Sequence, residues 1–358
     1  MRWINSLTAT VAIAALFGAT VFAAPAEAAA DTTSQPATEA QRIADSGYTG
    51  WQLKWANVND IGRRNLCGGL DFYSLKTQIA MGRKITQQVL ASAKLVKDPI
   101  ITAYVSKVGQ NIVRNSDARV PYHFYVVDSS VVNSFALPGG SVFVYSGLIL
   151  HASNEAELAG VLGHESAHIA ACHGAKQQTK ADLAQIAMIP LSVLIPYSWA
   201  GIGIYEGVNA AVPVAFLKFS REDEAQADYL GTEYMYKAGY DPNALISFFE
   251  IVEAQELRQP SSPSTLFSDH PGTVSRIAAI QKEIATILPP RTQYVLDTSE
   301  FERVKRRLEI YESGGKLSRP TNGPVLERKT QSGTSGTQQN NSGPPVLQRR
   351  DSKNLSGL

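Results

Sequence analysis

Net charge is nearly absent from this sequence, which has 33 lysine and arginine residues against 32 aspartate and glutamate residues. A strong excess of basic residues is typical of proteins that bind nucleic acid, so we expect no nucleic-acid partner. Cysteine is equally scarce, with two residues in a chain of 358. A structural zinc site closed by four cysteine-rich ligands is therefore disfavoured. The length is sufficient to bury one sizeable core.

Charge is also missing from residues 8–24, which are mostly apolar and follow the basic residue Arg2. Small residues at positions 26, 28 and 30 suit cleavage by a signal peptidase. These features predict a signal peptide over residues 1–30 and export to the periplasm. The apolar run is short for a membrane span, and no cysteine stands at the cleavage region to carry a lipid. An uncleaved signal anchor, which would leave the protein membrane-associated, is the alternative.

The two cysteines are Cys67 and Cys172. After export they would enter an oxidising compartment, where disulfides form and persist. The sequence leaves two interpretations open, a disulfide between them or two buried thiols, because it does not give their separation.

Two histidines four residues apart stand in the run His-Glu-Ser-Ala-His over residues 164–168. On a helix, His164 and His168 lie on one face, so both can bind one metal ion. Glu165 can deprotonate a water molecule that the metal activates. Asn154 or Ser153 can cap the start of this strongly apolar helix, in which a buried histidine pair needs a partner. The run is the signature of a zinc metallopeptidase.

A catalytic zinc needs a third protein ligand and an open position for water. The metzincin pattern would place a histidine at position 174, which is Gly174, so that class is excluded. Glu224 and Asp228 are four residues apart and share a helix face. We predict Glu224 as the third ligand of one zinc per chain, and Asp228 as the acceptor for the free ring N–H of a ligating histidine. Spacing alone does not choose between Glu222 and Glu224, but the carboxylate one turn later favours Glu224.

Apolar periodicity predicts an α+β, mostly helical domain over residues 71–312. Helices are predicted at residues 71–91, 99–115, from 241 onwards, at 274–288 and at 300–311, and strands at 122–127, 141–145 and 292–296. Residues 31–70 are predicted to be a linker or N-terminal extension. Residues 313–358 are rich in glycine, serine, glutamine, asparagine and proline, which predicts a disordered basic tail of unassigned role.

Residues 183–205 contain no charged residue. A single membrane span is excluded, because His168 before this stretch and Glu224 after it must reach one zinc on one side of a membrane. Two spans need about 40 residues, more than the interval provides. We predict that residues 183–217 form an apolar helical hairpin that covers the site, with peripheral contact to a membrane as the alternative.

The ordered motifs resemble the gluzincin metallopeptidase family that holds the CAAX prenyl endopeptidase, the HtpX heat-shock protease and the periplasmic β-barrel-assembly-enhancing protease. The resemblance covers roughly residues 78–276, and chain length leaves no room for the tetratricopeptide repeats of some relatives. Besides the metal residues it rests on residues 133–140, 147–148, 157–159 and 268–271, and Arg276. The chain departs from the family at Ser134, where alanine is usual, and at Cys172, where arginine is frequent. The resemblance implies a zincin-type domain with a small mixed sheet over the His-Glu-x-x-His helix.

The resemblance also implies roles for residues outside the metal set. An edge strand containing Asn133, Ser134, Phe135 and Ala136 would pair with the extended backbone of a substrate. His270 or Arg276 would stabilise the oxyanion of the transition state. In the periplasmic relatives the histidine that matches His270 can occupy the fourth zinc position. Whether His270 is an inhibitory ligand or an oxyanion donor stays open.

We therefore expect a zinc-dependent endopeptidase of the cell envelope that cleaves unfolded or misassembled proteins. The alternative from another functional class is an envelope chaperone or assembly factor that holds unfolded outer-membrane proteins with little proteolysis. An apolar hairpin and an edge strand would serve either role.

Overall fold

The computed structural model describes residues 37–194, 219–258, His270 and residues 273–314. The predicted signal peptide, residues 195–217 of the predicted hairpin and nearly all of the predicted tail lie outside the described residues. Among the residues that are described, none of the helices combines the length and the apolar character that a bilayer crossing requires.

The fold is mostly helical with one small mixed sheet, as the sequence predicts. In chain order the elements are α1 (Glu39–Asp45), α2 (Gly50–Trp55), α3 (Leu75–Ser92), α4 (Pro99–Arg114), β1 (His123–Val127), β2 (Ser134–Leu137), β3 (Ser141–Tyr145), α5 (Ser146–His151), α6 (Glu155–Ala170), α7 (His173–Leu194), α8 (Arg221–Lys237), α9 (Asn243–Arg258), α10 (Thr273–Thr286) and α11 (Ser299–Glu312). Helices α3, α4, α9, α10 and α11 lie at or near the predicted positions.

The prediction of a strand at residues 292–296 is wrong. Only Val295 pairs, in a single parallel bridge with Tyr240. Its N–H donates to the carbonyl of Gly239, and its carbonyl accepts from the N–H of Asp241. The partner is the short turn between α8 and α9, so the pairing has no strand along which to extend.

Residues 38–66 are part of the folded domain rather than a linker. Helix α1 begins in a capping box, in which the Thr38 side chain accepts from the Gln41 N–H and the Gln41 side chain accepts from the Thr38 N–H. Tyr48 and Trp55 are buried in the main hydrophobic core. Arg64 binds Asp117 and Glu233 through pairs of 2.6 Å each. The polar composition of the segment concealed these anchors.

The three strands form a sheet in the order β1-β3-β2, with β1 parallel and β2 antiparallel to β3. Strand β2 therefore lies at an edge. Gly139 and Gly140 make the turn into β3 at φ values of 82° and 114°, which other residues rarely adopt. Phe143 in the central strand stacks on Tyr125 and Phe135, with ring centroids 4.9 Å apart in each pair.

Helices α6 and α8 cross in close contact because a glycine occupies each at the crossing. A Cβ atom on Gly163 would lie 2.9 Å from the carbonyl oxygen of Gly231, and one on Gly231 would lie 2.8 Å from the backbone nitrogen of His164. The close approach brings the acidic face of α8 against the histidine face of α6.

Cys67 and Cys172 form a disulfide, with Cα atoms 5.2 Å apart. This answers the question that the sequence leaves open. Cys172 lies in the turn between α6 and α7 at a φ of 59°, and it has the one positive φ among the non-glycine residues described. The disulfide therefore ties the N-terminal segment to the turn that follows the histidine run.

Candidate metal centre

Helix α6 holds the histidine run rigidly inside the protein. Asn154, one of the two predicted caps, accepts from the N–H of Glu157 at 3.0 Å. The Glu157 carboxylate in turn accepts from the N–H of Ser153 at 2.7 Å. Every residue of α6 is buried, which agrees with its small and apolar composition. His164 and His168 therefore have fixed positions relative to the helices that pack around them.

Three predicted ligands and His270 converge on one point. The Nε2 atoms of His164 and His168 are 3.1 Å apart, and each lies 3.5 Å from an oxygen of Glu224. His270 Nδ1 lies 3.3 Å from His164 Nε2 and 2.9 Å from Glu224 Oε1. All four side chains are buried.

The separations of 3.3 and 3.5 Å suit a zinc ion, and the 3.1 and 2.9 Å contacts are a few tenths of an ångström shorter than a tetrahedral site requires. Tetrahedral ligands at zinc distances of about 2.0–2.2 Å stand about 3.3–3.6 Å from one another. Imidazole nitrogen and carboxylate oxygen are also the donors that zinc takes in catalytic sites. Within the described residues, Glu224 Oε2 is buried and has no hydrogen-bond partner. Burial alone would raise the pKa of the Glu224 carboxyl, but the His270 and His164 imidazoles hold it well below 4.5. The donors present therefore fit a zinc ion.

His164 is supported from behind by a carboxylate. Its Nδ1 lies 3.0 Å from Oδ1 of Asp228, the carboxylate predicted to accept from a ligating histidine. Arg276 binds both oxygens of Asp228, with Nε to Oδ2 at 2.6 Å and Nη2 to Oδ1 at 2.7 Å. Burial alone would raise the pKa of Asp228, but Arg276 outweighs it and keeps that pKa below its usual value.

Arg276 also contacts the loop that carries His270. Its Nη1 donates to the carbonyl oxygen of His270 at 2.9 Å and lies 3.3 Å from Glu224 Oε2. Each of its three nitrogens therefore already faces a protein acceptor. This geometry favours a positioning role for Arg276 over the predicted role of oxyanion donor, which would require a nitrogen aimed at the substrate.

His168 is supported by His173, a residue that the sequence analysis did not predict to be part of the site. The Nδ1 atoms of the two rings are 3.0 Å apart. His173 is buried, and burial lowers its pKa to about 4. Its position five residues after His168 gives no helical signal, because it opens α7 after the turn at Cys172. On the other side, the Phe219 ring stacks against His168 with centroids 4.0 Å apart.

Glu165 is held by the edge strand. Its Oε1 accepts from Ser134 Oγ at 2.7 Å, and both side chains are buried. Its Oε2 has no hydrogen-bond partner among the described residues. Of the other residues predicted for the substrate strand, Phe135 and Ala136 follow Ser134 in β2, and Asn133 lies immediately before the strand. One oxygen of the carboxylate is thus fixed and the other left for chemistry.

The two acidic residues before Glu224 lie outside the donor group. Glu222 is exposed. Asp223 is buried rather than solvated, because its carboxylate closes a capping box with Ser220 at the start of α8. Its Oδ1 also lies 3.9 Å from His173 Nε2. The register of α8 therefore points Glu224, and not Glu222, at the histidines.

A buried His-Glu-x-x-His helix, a glutamate from a second helix and a small mixed sheet beside them define a zincin-type metallopeptidase domain. The model of peptidase family M48 matches residues 99–284 of the chain, which is more than half of it. The protein belongs to peptidase family M48.

Named relatives agree with this assignment. The chain is 32% identical over 225 residues to a β-barrel assembly-enhancing protease of Yersinia pestis, covering 61% of this chain and 46% of the relative. It is 29% identical over 248 residues to the protein of that name in Escherichia coli K12, covering 67% and 50%. With the mitochondrial metalloendopeptidase OMA1 of Schizosaccharomyces pombe it shares 32% identity over 206 residues, 56% of each chain. The chain thus spans about half the length of the first two relatives.

Proposed function

We propose that this protein is a zinc-dependent endopeptidase. The observation that carries the proposal is the buried convergence of His164, His168 and Glu224 beside the carboxylate of Glu165. Membership of a peptidase family and the names of the relatives support it.

His164, His168 and Glu224 would hold the zinc. When bound, the ion polarises the scissile carbonyl and lowers the pKa of water to about 7. Glu165 takes the proton of the attacking water on its free Oε2 and later delivers it to the leaving amine. Ser134 keeps the other oxygen of Glu165 in place. As the edge strand of the sheet, β2 would offer main-chain groups to an extended substrate, a mode that makes little demand on substrate sequence.

The test is a Glu165→Gln variant of the purified protein. We expect it to keep about one zinc per chain, measured by elemental analysis, and to lose cleavage of casein and of unfolded clients. Glu309→Gln, an exposed carboxylate on α11 away from the donor group, is the control and should cleave normally. Undiminished cleavage by Glu165→Gln would eliminate the proposed mechanism.

We further propose that His270 restrains this activity by occupying the fourth ligand position. Its Nδ1 lies in the donor group, 2.9 Å from Glu224 Oε1, and its Nε2 lies 3.8 Å from Glu165 Oε1. A client that displaced His270 would open that position to water. If His270 is instead an oxyanion donor, its removal should lower the rate of cleavage rather than raise it, so one variant distinguishes the two roles.

His270→Ala decides between these roles. A restraining ligand predicts higher basal cleavage of casein, including cleavage within the chain's own residues 313–358. An oxyanion donor predicts instead a loss of kcat by roughly 10²–10³-fold. His123→Ala, at an exposed position on β1, should change neither the cleavage of casein nor self-cleavage. Slower cleavage of every substrate without added self-cleavage would remove the restraining role.

The proposed substrates are unfolded or misassembled proteins of the cell envelope, and the proposed location is the periplasm. The signal-like residues 1–30, the names of the bacterial relatives and the Cys67–Cys172 disulfide support this setting, since disulfides persist in oxidising compartments. N-terminal sequencing of envelope protein should begin between Glu27 and Ser34. An intact Met1 in a membrane-bound form would instead support a signal anchor.

Trapping with Glu165→Gln in cells identifies the clients. We expect envelope proteins to co-purify with the variant and to accumulate uncut. If the variant restores growth to cells that lack the protein, as well as the wild type does, then holding rather than cleavage is the principal activity.

A further inference from the structure

His168 and His173 face each other through ring nitrogens at 3.0 Å, deep inside the protein. We propose that His173 is a positioning residue for the metal centre, whose Nδ1 accepts the Nδ1–H of His168 and so leaves His168 Nε2 free to bind zinc. The inference rests on the proposed zinc site and gives His168 an outer support, as Asp228 gives one to His164.

The hydrogen bonds around His173 fix the direction of this contact. Only one of the two facing nitrogens can carry a hydrogen. The far nitrogen of His173, Nε2, lies 3.2 Å from Gln226 Oε1 and 3.9 Å from Asp223 Oδ1. Both are acceptors, so the hydrogen of His173 belongs on Nε2. Its Nδ1 then has a lone pair, and the bridging hydrogen belongs to His168.

The amide of Gln226 has a defined orientation. Its Nε2 donates to Glu222 Oε1 at 3.4 Å, which turns Oε1 towards His173. The reversed amide would bring an N–H₂ group against the Nε2 of His173 and would aim its oxygen at a carboxylate. A continuous path therefore runs from Glu222 through Gln226 and His173 to the donor nitrogen of His168.

The backbone places His173 independently of helix α6. Cys172 turns the chain at a φ of 59°, and the disulfide to Cys67 anchors that turn. His173 begins the next helix, α7. Phe219 stacks on His168 from the other side, with centroids 4.0 Å apart. The His168 ring is thus held by a hydrogen bond along its edge and by an aromatic face.

The test measures zinc affinity rather than activity. Apo-protein is titrated with zinc against a chelator of known affinity, for the wild type, His173→Phe and His173→Gln. Phenylalanine fills the space without an acceptor, whereas glutamine keeps an oxygen that can accept from His168. We expect His173→Phe to bind zinc roughly 10–100-fold more weakly, as removal of an outer hydrogen-bond partner does. His173→Gln should lie within a few-fold of the wild type.

Two further measurements keep the result interpretable. The visible spectrum of the cobalt-loaded protein should change in His173→Phe and return towards the wild type in His173→Gln, because it reports the geometry of the ligand imidazoles. Gln226→Leu, which leaves His173 in place, should weaken zinc binding by a smaller factor, because Asp223 still faces Nε2. It provides the test if His173→Phe does not fold.

The outcomes separate the two levels of the argument. Wild-type protein that binds no zinc would overturn the proposed function itself. Wild-type protein that binds one zinc, together with a folded His173→Phe of equal affinity and an unchanged cobalt spectrum, would overturn only the role of His173. A loss of zinc affinity in His173→Gln as large as that in His173→Phe would also overturn the role of His173. If His173→Phe is unfolded, an unchanged zinc affinity in Gln226→Leu would do the same.

Discussion

The two histidines of α6 are supported in different ways, although they are four residues apart on the same helix face. Behind His164 stands an ionised carboxylate, Asp228, which Arg276 holds through two hydrogen bonds. Behind His168 stands the uncharged ring of His173, at a turn tied by a disulfide. One side of the centre is secured by charge and the other by a disulfide, a covalent link between side chains that anchors the turn before His173.

The difference appears in the acid–base properties of the two rings. Burial alone would lower the pKa of His164, but hydrogen bonds to Asp228 and Glu224 raise it to about 9. Burial lowers the pKa of His168 well below 6.5, and the attraction of Glu224 does not offset it. Identical residue types in identical local structure thus acquire opposite shifts from the elements packed against them.

Removing the ligand shared by both sides should have the largest effect. Glu224 lies 3.5 Å from the Nε2 atoms of both His164 and His168. We expect Glu224→Ala to lose most of the bound zinc and all cleavage, because it removes the negatively charged ligand that lies beside both histidines of α6. Glu222→Ala should keep the metal, as measured by elemental analysis after gel filtration. The reverse result would show that the register assigned to α8 is wrong.

Neutralising the charged side should have the next largest effect on metal binding. Asp228→Asn keeps the size of the side chain but removes the negative charge between His164 and Arg276. We expect zinc affinity to fall by roughly 10–100-fold in a chelator competition. The loss should be at least as large as that in His173→Phe, because the carboxylate is the stronger acceptor. A smaller loss of zinc affinity in Asp228→Asn than in His173→Phe would show that His173, and not Asp228, is the stronger support.

Opening the covalent side should cost stability first and metal affinity second. The disulfide spans 105 residues of sequence. For a paired Cys67→Ser and Cys172→Ser variant we expect the free energy of unfolding to fall by about 2–5 kcal/mol. Zinc affinity should fall by a few-fold, because the turn that positions His173 would no longer be anchored by the disulfide. Reductant should lower the stability and zinc affinity of the wild type and leave those of the paired variant unchanged. An equal response of both proteins would show that the disulfide does not support the metal centre.

The smallest effect on metal binding is expected from the buried acids beyond Asp228, which act on the pH dependence of stability. Burial raises the pKa of Glu283 well above 4.5, and the charges of Glu233 and Asp228 raise it further. Burial likewise raises the pKa of Glu233, to about 7. A raised carboxyl pKa means that the folded state keeps a proton that the unfolded state releases. Stability from these groups is therefore lost as the pH rises from about 4.5 towards 7, by about 1.4 kcal/mol for each pKa unit.

Glu283→Gln checks this sign. The variant should show a shallower fall in unfolding free energy across that pH range than the wild type, in urea titrations of the two proteins. Glu309→Gln, at an exposed position on α11, is the control and should follow the wild type. A steeper fall in Glu283→Gln would contradict the assignment.

The charged side of the centre could be read from the sequence, and the covalent side could not. Helical periodicity places Glu224 and Asp228 on one face, and the need of a catalytic zinc for a third ligand predicts that this face meets the histidines of α6. The position of His173 depends on a left-handed turn at Cys172 and on a disulfide partner 105 residues away, neither of which has a periodic signal. Ser134 likewise departs from the expected alanine, and only the structure reveals its bond to Glu165.

The fold likewise has parts that the sequence predicts and parts that it does not. Long apolar helices such as α4 and α9 were predictable, since one buried face sets their pattern. The N-terminal segment was predicted as a linker or N-terminal extension, because its buried residues, notably Tyr48 and Trp55, are single positions in a polar stretch. The close crossing of α6 and α8 depends on two glycines whose spacing in sequence carries no pattern.

Crystallography of the zinc-loaded protein, with anomalous data collected on both sides of the zinc absorption edge, tests the central claim most directly. The account predicts one anomalous peak, about 2.0–2.2 Å from His164 Nε2, His168 Nε2 and an oxygen of Glu224. His168 Nδ1 should still face His173. A peak bound through His168 Nδ1, a peak that omits Glu224, or no peak among these side chains would contradict it.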